Sequence, residues 1–224
     1  MSQMSFFRIF KASEWPLDFC RRTRATGEEL FNKSNRRRTA RTGGDLTCQP
    51  EYYVQVTQAI KEKTAGKLWI LIETNGYALT RKNLELLKEG GIDSFWLDIK
   101  AFNSEVYRKL CGTSNTTVLK ALAEMVDLDF TVEILTLYIP GFVETNQHKK
   151  IAQLIYEIND EIPTTLLAFF PSYKLSDLRS PNYTEMIKSY QEMKGEGVKN
   201  LRLGNIGIFA KTKEQLTEIQ KLRK

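Results

Sequence analysis

Glycine, acidic, amide and hydroxyl residues recur where the predicted strands of this chain end. Glycine lets the backbone approach a ligand closely, and adjacent carboxylate, amide and hydroxyl groups can orient a polar molecule. In parallel α/β proteins the ligand lies at the carboxyl ends of the strands. The sequence therefore predicts a ligand site at one edge of a sheet. Its segments are Gly43-Gly44-Asp45, Glu73-Thr74-Asn75-Gly76, Asp98-Ile99-Lys100, Pro140-Gly141, Pro171-Ser172-Tyr173 and Gly204-Asn205.

Each of these segments also has a plain structural interpretation. Gly43-Gly44 and Asn75-Gly76 are typical of turns. Asp98 and Lys100 are two positions apart, so they lie on the same side of a strand and could form an ion pair. Their joint placement after successive strands favours a common site over six unrelated turns.

The elements that would position this site alternate between strand and helix patterns. Helical stripes separate the strand-like runs at roughly thirty-residue intervals, which is typical of right-handed crossovers and a parallel sheet. Trp69 to Ile72 is apolar on both faces, as expected for a strand covered by helices. A barrel-like sheet and an open doubly wound sheet both fit this pattern. The predicted strands are Lys67 to Ile72, Ser94 to Ile99, Thr131 to Ile139, Thr164 to Phe170 and Asn200 to Leu203.

Helix boundaries follow from capping residues and apolar stripes. Thr80 is a predicted N-cap, and Gly90-Gly91 ends that helix. Ser114 or Asn115 caps the next helix. Two later helices carry apolar stripes of their own. Those stripes are Ile151, Leu154, Ile155 and Ile158, and then Met186, Tyr190 and Met193.

The N-terminal region follows the pattern less well. Ser5 to Phe10 could be a strand, and 27–32 could be part of a helix. Continuing the alternation backward predicts a strand over Arg37 to Thr42, although that stretch is too basic to look like a buried strand. We therefore expect residues 1–41 to be a disturbed or truncated N-terminal region, and residues 42–224 to be the core of a single domain.

Composition places the chain among ordinary globular proteins. Hydrophobic residues make up 42% and charged residues 27% of its 224 residues. No apolar run approaches a membrane span, and no signal peptide is evident, so we expect a cytoplasmic protein that contacts no membrane.

The formal net charge of +6 is concentrated between Arg21 and Arg41. This basic stretch could be a solvated surface, or it could attract an anionic cofactor, a nucleic acid or an acidic protein. No RNA-binding aromatic motif accompanies it, so nucleic acid is not favoured.

Five of the motifs, taken in order, resemble the radical S-adenosylmethionine (SAM) enzymes, and among them the glycyl-radical activating enzymes. The resemblance runs from about Thr42 to Tyr173. It implies a partial (β/α) barrel that holds a [4Fe-4S] cluster and SAM. The motifs are Gly43-Gly44-Asp45, Glu73 to Tyr77, Leu97 to Lys100, Cys111 to Asn115 and Tyr138 to Gly141.

The resemblance also implies roles for individual residues. Gly43, Gly44 and Asp45 match the motif that holds the amino group of the methionine moiety of SAM, with aspartate in place of the usual glutamate. Thr74 and Asn75 match a segment that borders SAM. Glu73, Thr74 and Asp98 match positions around a monovalent cation. Lys100 matches a lysine beside SAM, so Lys100 and Asp98 are the catalytic candidates.

The chain departs from the family at the cluster ligands. The family uses CxxxCxxC, whose three thiolates bind three irons and leave the fourth iron for SAM. Here only Cys20 precedes the Gly43 motif. If it is the last of the three ligands, Ser13 and Leu17 occupy the other positions. Either alternative register of Cys20 likewise lacks a second cysteine. Cys48 and Cys111 lie in other motifs, where a small buried hydrophobic residue would also fit.

Three explanations account for this departure. The chain could be a fragment with an altered start, a degenerate paralogue without a cluster, or the product of a misread gene start. We therefore expect that the chain as written does not hold a stable cluster.

The resemblance predicts an oxidoreductase that cleaves SAM reductively to a 5′-deoxyadenosyl radical, which abstracts hydrogen. It implies a protein or small-molecule substrate, with a glycyl-radical enzyme as one candidate, and flavodoxin or ferredoxin as reductant. One alternative is a cluster-free paralogue that acts as a binding module. Another is an unrelated phosphate-binding barrel that uses Gly204-Asn205. His148, the only histidine, lies at a predicted helix start, where we expect a surface position and no acid–base role.

Overall fold

The computed structural model describes residues 6–10, 37–42 and 49–222. They divide into two compact units, Met1–Asp98 with Thr117–Val132, and Ile99–Thr116 with Glu133–Lys224. None of the helices in these described ranges is both long and apolar enough to cross a membrane.

The first unit contains a four-stranded sheet whose strands follow chain order. Strand β1 is antiparallel to β2, whereas β2, β3 and β4 are mutually parallel. The predicted strands near residues 5–10 and 37–42 are thus confirmed, and the basic composition of β2 does not prevent pairing along the buried β3. The strands are β1 (Phe6–Phe10), β2 (Arg37–Thr42), β3 (Leu68–Thr74) and β4 (Ser94–Ile99).

Three helices accompany this sheet: α1 (Pro50–Lys63), α2 (Arg81–Glu89) and, later in the chain, α4 (Thr116–Asp127). The predicted N-cap of α2 is confirmed, since the Thr80 side chain accepts a hydrogen bond from the Asn83 N–H. Leu84 and Leu87 of α2 are fully buried, as are Val118 and Leu122 of α4, which explains their helical spacing.

The second unit contains β5 (Thr131–Tyr138), β6 (Thr164–Ala168) and β7 (Leu201–Gly204), paired in parallel and in chain order. Its longer helices are α3 (Ser104–Cys111), α5 (Thr145–Asn159), α6 (Tyr183–Gly195) and α8 (Lys213–Leu222). A 3₁₀ turn (Tyr173–Leu175) precedes α6, and a four-residue helix, α7 (Ile206–Phe209), follows β7. Asn182 begins α6 with a capping box that includes Glu185.

The predicted fold class, α/β with parallel strands, is confirmed in both units. The predicted strands differ from the observed ones by at most two residues at either end. The predicted helix at 27–32 lies outside the described residues. The proposed division of the chain after residue 41 stays a prediction, and β2 spans it.

Candidate functional site

The predicted SAM motif follows β2 directly. Strand β2 ends at Thr42, so Gly43, Gly44 and Asp45 begin at its carboxyl end. These three residues lie outside the described part of the chain, as do Cys20 and Cys48. Their proposed contacts with a ligand therefore stay predictions.

The turn after β3 is held by the side chains that the sequence singled out. Thr74 is buried, and its Oγ1 accepts a hydrogen bond from the Gly76 N–H at 3.0 Å. The Asn75 Oδ1 accepts a hydrogen bond from the Tyr77 N–H at 2.9 Å. Both side chains therefore shape the turn, whatever contact they make with a ligand.

Gly76 is required at this turn for two physical reasons. Its φ of +75° lies in the left-handed region that glycine adopts readily. A Cβ at this position would lie 2.6 Å from the Leu97 Cδ1 and 3.3 Å from the Val118 Cγ1. The glycine thus lets the turn pack closely against β4 and α4.

Strand register separates the three predicted cation ligands. Glu73 pairs with Trp96, and Thr74 pairs with Leu97. Side chains alternate along a strand, so Glu73 lies on the same face of the sheet as Trp96 and Asp98, whereas Thr74 lies with Leu97 on the opposite face. The structure places Glu73 and Asp98 on one face and the Thr74 side chain on the other.

The remaining catalytic candidate, Lys100, is the first residue after β4 and is half-buried. Asp98 is the penultimate residue of the same strand. Both charged residues thus lie at the carboxyl end of β4, where the sequence predicted them.

The strand ends of the second unit are also tightly built. After β5, an isolated bridge joins Ile139 to Val143, and the Gly141 N–H donates a hydrogen bond to the Glu144 Oε1 at 2.8 Å. Burial raises the pKa of Tyr138, at the end of β5, to about 12, and the negative charges of Glu144 and Glu185 add to this shift. The Tyr138 hydroxyl is therefore neutral at physiological pH.

Packing explains the glycine after β7. A Cβ on Gly204 would lie 2.4 Å from the Leu167 Cδ2 and 3.0 Å from the Thr165 Cγ2. Asn205 adopts a left-handed conformation, and its Nδ2 donates to the Ala168 carbonyl at 3.0 Å. Close contacts with β6 thus explain why Gly and Asn occupy positions 204 and 205. These contacts give no support to the phosphate-site alternative.

The expectation that His148 lies on the surface is wrong. His148 is completely buried, its Nδ1 lies 2.7 Å from the Ser189 Oγ, and its ring packs against that of Tyr138. Burial lowers its pKa to about 3, opposed by a weaker interaction with the Leu137 backbone. The imidazole is therefore neutral at physiological pH and sealed from solvent, which argues against an acid–base role.

The structure also brings together a charged cluster that the sequence did not predict. Glu133 is buried on β5, and its Oε1 accepts hydrogen bonds from the Thr165 Oγ1 at 2.9 Å and from the Arg202 guanidinium. Within the described residues, Oε2 has no hydrogen-bond partner. Strand alternation would have placed Glu133 on one face, but nothing in its spacing pointed to Arg202.

The cysteines do not fit a [4Fe-4S] cluster. The sequence contains three cysteines, and no two of them have the spacing of CxxxCxxC. Cys111 is exposed at the end of α3, where Gly112 follows in a left-handed conformation. Among the described residues, no group of three His, Cys, Asp or Glu side chains could hold a metal ion. We therefore assign no reaction step to a cluster in this chain.

Parallel strands with polar residues at their carboxyl ends define an α/β protein with a candidate ligand site. Comparison with known proteins gives its family. The radical SAM superfamily model matches residues 25–155, and the chain belongs to this superfamily. The match covers the strand-end motifs up to β5 and most of α5.

Two curated relatives come from Methanocaldococcus jannaschii. One is MJ1632, which has been assigned by inference as a glycyl-radical enzyme activating enzyme. It is 24% identical to this chain over 66% of this chain and 55% of its own length. The other, the uncharacterized protein MJ0808, is 28% identical over 59% of this chain and 39% of its own length. The chain thus spans about half the length of the curated relatives it matches.

Solved structures support the fold. A domain of pyruvate-formate lyase-activating enzyme from Bacteroides vulgatus aligns with a TM-score of 0.62 at 16% identity, over 74% of this chain and 98% of that domain. SuiB from Streptococcus suis aligns with a TM-score of 0.59 at 12% identity, over 87% of this chain and 43% of SuiB. The fold is therefore the parallel-strand partial barrel of radical SAM proteins, and the resemblance to activating enzymes inferred from the motifs is confirmed.

Proposed function

We propose that this protein binds SAM at the carboxyl ends of its strands, as a radical SAM protein of the glycyl-radical activating-enzyme type. The observation that carries the proposal is the order of its strand-end motifs, which falls within the radical SAM match. Membership of the family implies SAM as the ligand. The link to activating enzymes has further support from the M. jannaschii relative and the B. vulgatus domain.

In this proposal the residues after β2 hold the methionine end of SAM. Asp45 accepts hydrogen bonds from the ammonium group, and Gly43 and Gly44 let the backbone approach the ligand. Thr74 and Asn75 border the ligand through the turn that they hold in place. Lys100 lies beside SAM as a positive charge, and Asp98 with Glu73 surrounds a monovalent cation.

A protein of this type that also carries the three cluster thiolates would cleave SAM reductively and then abstract hydrogen from a protein or a small molecule. A glycyl-radical enzyme is one such substrate, and flavodoxin or ferredoxin would supply the electron. A neighbouring structure, SuiB bound to the precursor peptide SuiA, supports a polypeptide as substrate. The [4Fe-4S] cluster used by the family requires three thiolates, and the cysteines of this chain do not supply that set.

The experiment that tests the proposed ligand is isothermal titration of the iron-free protein with SAM. We expect saturable binding with one SAM per chain, and competition by S-adenosylhomocysteine, which shares the adenosine and the amino acid. Titration with ATP is the control, because it shares the adenosine but carries phosphates in place of methionine. Absence of SAM binding, or equal binding of ATP, would refute the proposed ligand.

A second candidate function is a cluster-free module that binds SAM without cleaving it. The specific observation in its favour is the cysteine set, in which only Cys20 precedes the proposed SAM motif. The two functions share one ligand and differ in whether the bound molecule reacts.

A further inference from the structure

We infer that this polypeptide binds SAM without an iron–sulfur cluster, so that its SAM affinity does not depend on iron. The inference rests on the proposed SAM site and concerns how that site works. It follows from a disagreement between the cofactor of the family and the ligands that this chain can offer.

The cysteines of this chain lack the spacing of a cluster loop. A cluster that opens one iron to SAM needs three cysteines on the other three irons. This chain has three cysteines in all, at positions 20, 48 and 111. A ligand loop brings its thiolates together through separations of three and four residues, whereas these cysteines are dozens of residues apart. No local loop of this chain can therefore carry the cluster.

Within the part of the chain that the structure describes, Cys111 is not placed among other cluster ligands. It is the last residue of α3, its side chain is exposed, and Gly112 ends the helix in a left-handed conformation with a φ of +75°. Among the described residues, it does not belong to any group of three His, Cys, Asp or Glu side chains able to hold a metal ion. A thiol in this position would need two further thiolates brought to it, and α3 carries none.

Histidine does not replace the missing thiolates. Imidazole replaces thiolate in some iron–sulfur proteins. The chain has a single histidine, His148, which is completely buried and lies 2.7 Å from the Ser189 Oγ through its Nδ1. Ligation by His148 would require α5 and α6 to separate, because its ring extends from α5 to contact Ser189 of α6 and Tyr138 of β5. Neither nitrogen of the ring is therefore available to a cluster.

The consequence concerns how SAM is held. In the family, the open iron contributes to binding the methionine end of SAM. Without it, protein contacts alone must hold the ammonium and carboxylate groups, and the acidic Asp45 is the proposed partner of the ammonium. We therefore expect the affinity for SAM to be the same before and after treatment with iron and sulfide.

The test is anaerobic reconstitution of the 224-residue chain with ferrous iron and sulfide. A radical SAM protein with an intact CxxxCxxC motif is treated in parallel as the positive control. We expect the control to take up about four irons and this chain less than about one. We also expect a change of less than about two-fold in the dissociation constant for SAM, and no 5′-deoxyadenosine after dithionite. Circular dichroism before and after treatment checks that the chain stays folded.

Uptake of about four irons with the absorption of a [4Fe-4S] cluster would overturn the inference, and the Cys20→Ser, Cys48→Ser and Cys111→Ser variants would then identify the ligands. A SAM affinity that rises with iron would overturn it as well. If the chain binds neither iron nor SAM, the proposed function fails and this inference fails with it. If the chain takes up iron but does not bind SAM, the iron uptake overturns the inference and the absence of SAM binding overturns the proposed ligand.

Discussion

The Nδ1 of His148 and the Oγ of Ser189 lie 2.7 Å apart in the fully buried contact between α5 and α6. The hydrogen bond satisfies one ring nitrogen, while among the described residues no hydrogen bond of normal geometry reaches Nε2, whose interaction with the Leu137 backbone is weak. A neutral imidazole tolerates this environment, whereas an imidazolium would leave a buried charge without a counter-ion. The pair is therefore a pH-sensitive point in the packing of the second unit.

We predict that His148 makes the protein less stable as pH falls. Its pKa is about 3 when folded and near 6.5 when unfolded, so the unfolded state binds the proton first. The stabilisation is complete above pH 6.5 and is lost as pH falls toward 3, at roughly 1.4 kcal/mol per pH unit. Urea unfolding between pH 6.5 and about 5 measures it, because the contribution of Glu185, whose folded pKa is lowered from 4.5, is lost mainly below this window.

The matched variant for this prediction is His148→Gln, which retains an amide able to hydrogen-bond with Ser189 but does not titrate. We expect its unfolding free energy to vary less with pH over the same window than that of the wild type. Equal pH dependence in the two proteins would show that His148 is not responsible.

A second prediction concerns close packing at Gly76. Gly76→Ala places a Cβ 2.6 Å from the Leu97 Cδ1 in a backbone conformation that alanine disfavours. Gly112→Ala is the control, because Gly112 has the same φ of +75° but open space where its Cβ would lie. In both variants the left-handed backbone conformation should lower the free energy of unfolding by about 1–2 kcal/mol. In Gly76→Ala, overpacking should lower it by roughly a further 1–3 kcal/mol. Chemical denaturation of the two variants measures the difference, and equal losses would contradict the close contact.

The sequence was informative about the fold because the relevant signals are local. Strand-length apolar runs marked β3 to β7, and the Thr80 cap marked the start of α2. His148 was misplaced because the polar residues around it dominated the pattern. It lies three and seven residues before Ile151 and Ile155, which are buried on the same face of α5, and that spacing could have indicated a buried position.

The candidate site was only partly predictable for a related reason. Motif order identified the strand ends, but strand pairing decides which side chains share a face. Glu73 and Thr74 are adjacent in sequence and lie on opposite faces because β3 alternates. The contact between Glu133 and Arg202 joins residues 69 positions apart, and its register depends on pairing across β5, β6 and β7. No local pattern could have predicted it.

The third prediction concerns the proposed monovalent cation. Glu73 and Asp98 share a face of the first sheet, so we expect potassium, compared with choline at equal ionic strength, to stabilise the protein by about 1–3 kcal/mol at saturation. Glu73→Gln should remove most of this difference, and Glu51→Gln, at an exposed position of α1, should not. Thr74→Val tests whether the Thr74 hydroxyl takes part, since that side chain points to the other face. Thermal unfolding in the two salts provides the measurement, and an undiminished potassium effect in Glu73→Gln would rule out this carboxylate.

The last prediction tests the residue proposed to hold the methionine end of SAM. Asp45→Ala removes a charge-assisted hydrogen bond to the ammonium group, which is worth roughly 1.5–3 kcal/mol, so the dissociation constant for SAM should rise about ten- to one-hundred-fold. Glu51→Ala removes the same charge from the first turn of α1, six residues further along, and should leave the constant nearly unchanged. Isothermal titration of the three proteins, with matching thermal unfolding curves, separates loss of the contact from loss of the fold. If Asp45→Ala binds SAM as tightly as the wild type, the ammonium group is held elsewhere, and the assignment of Gly43, Gly44 and Asp45 as the SAM motif fails.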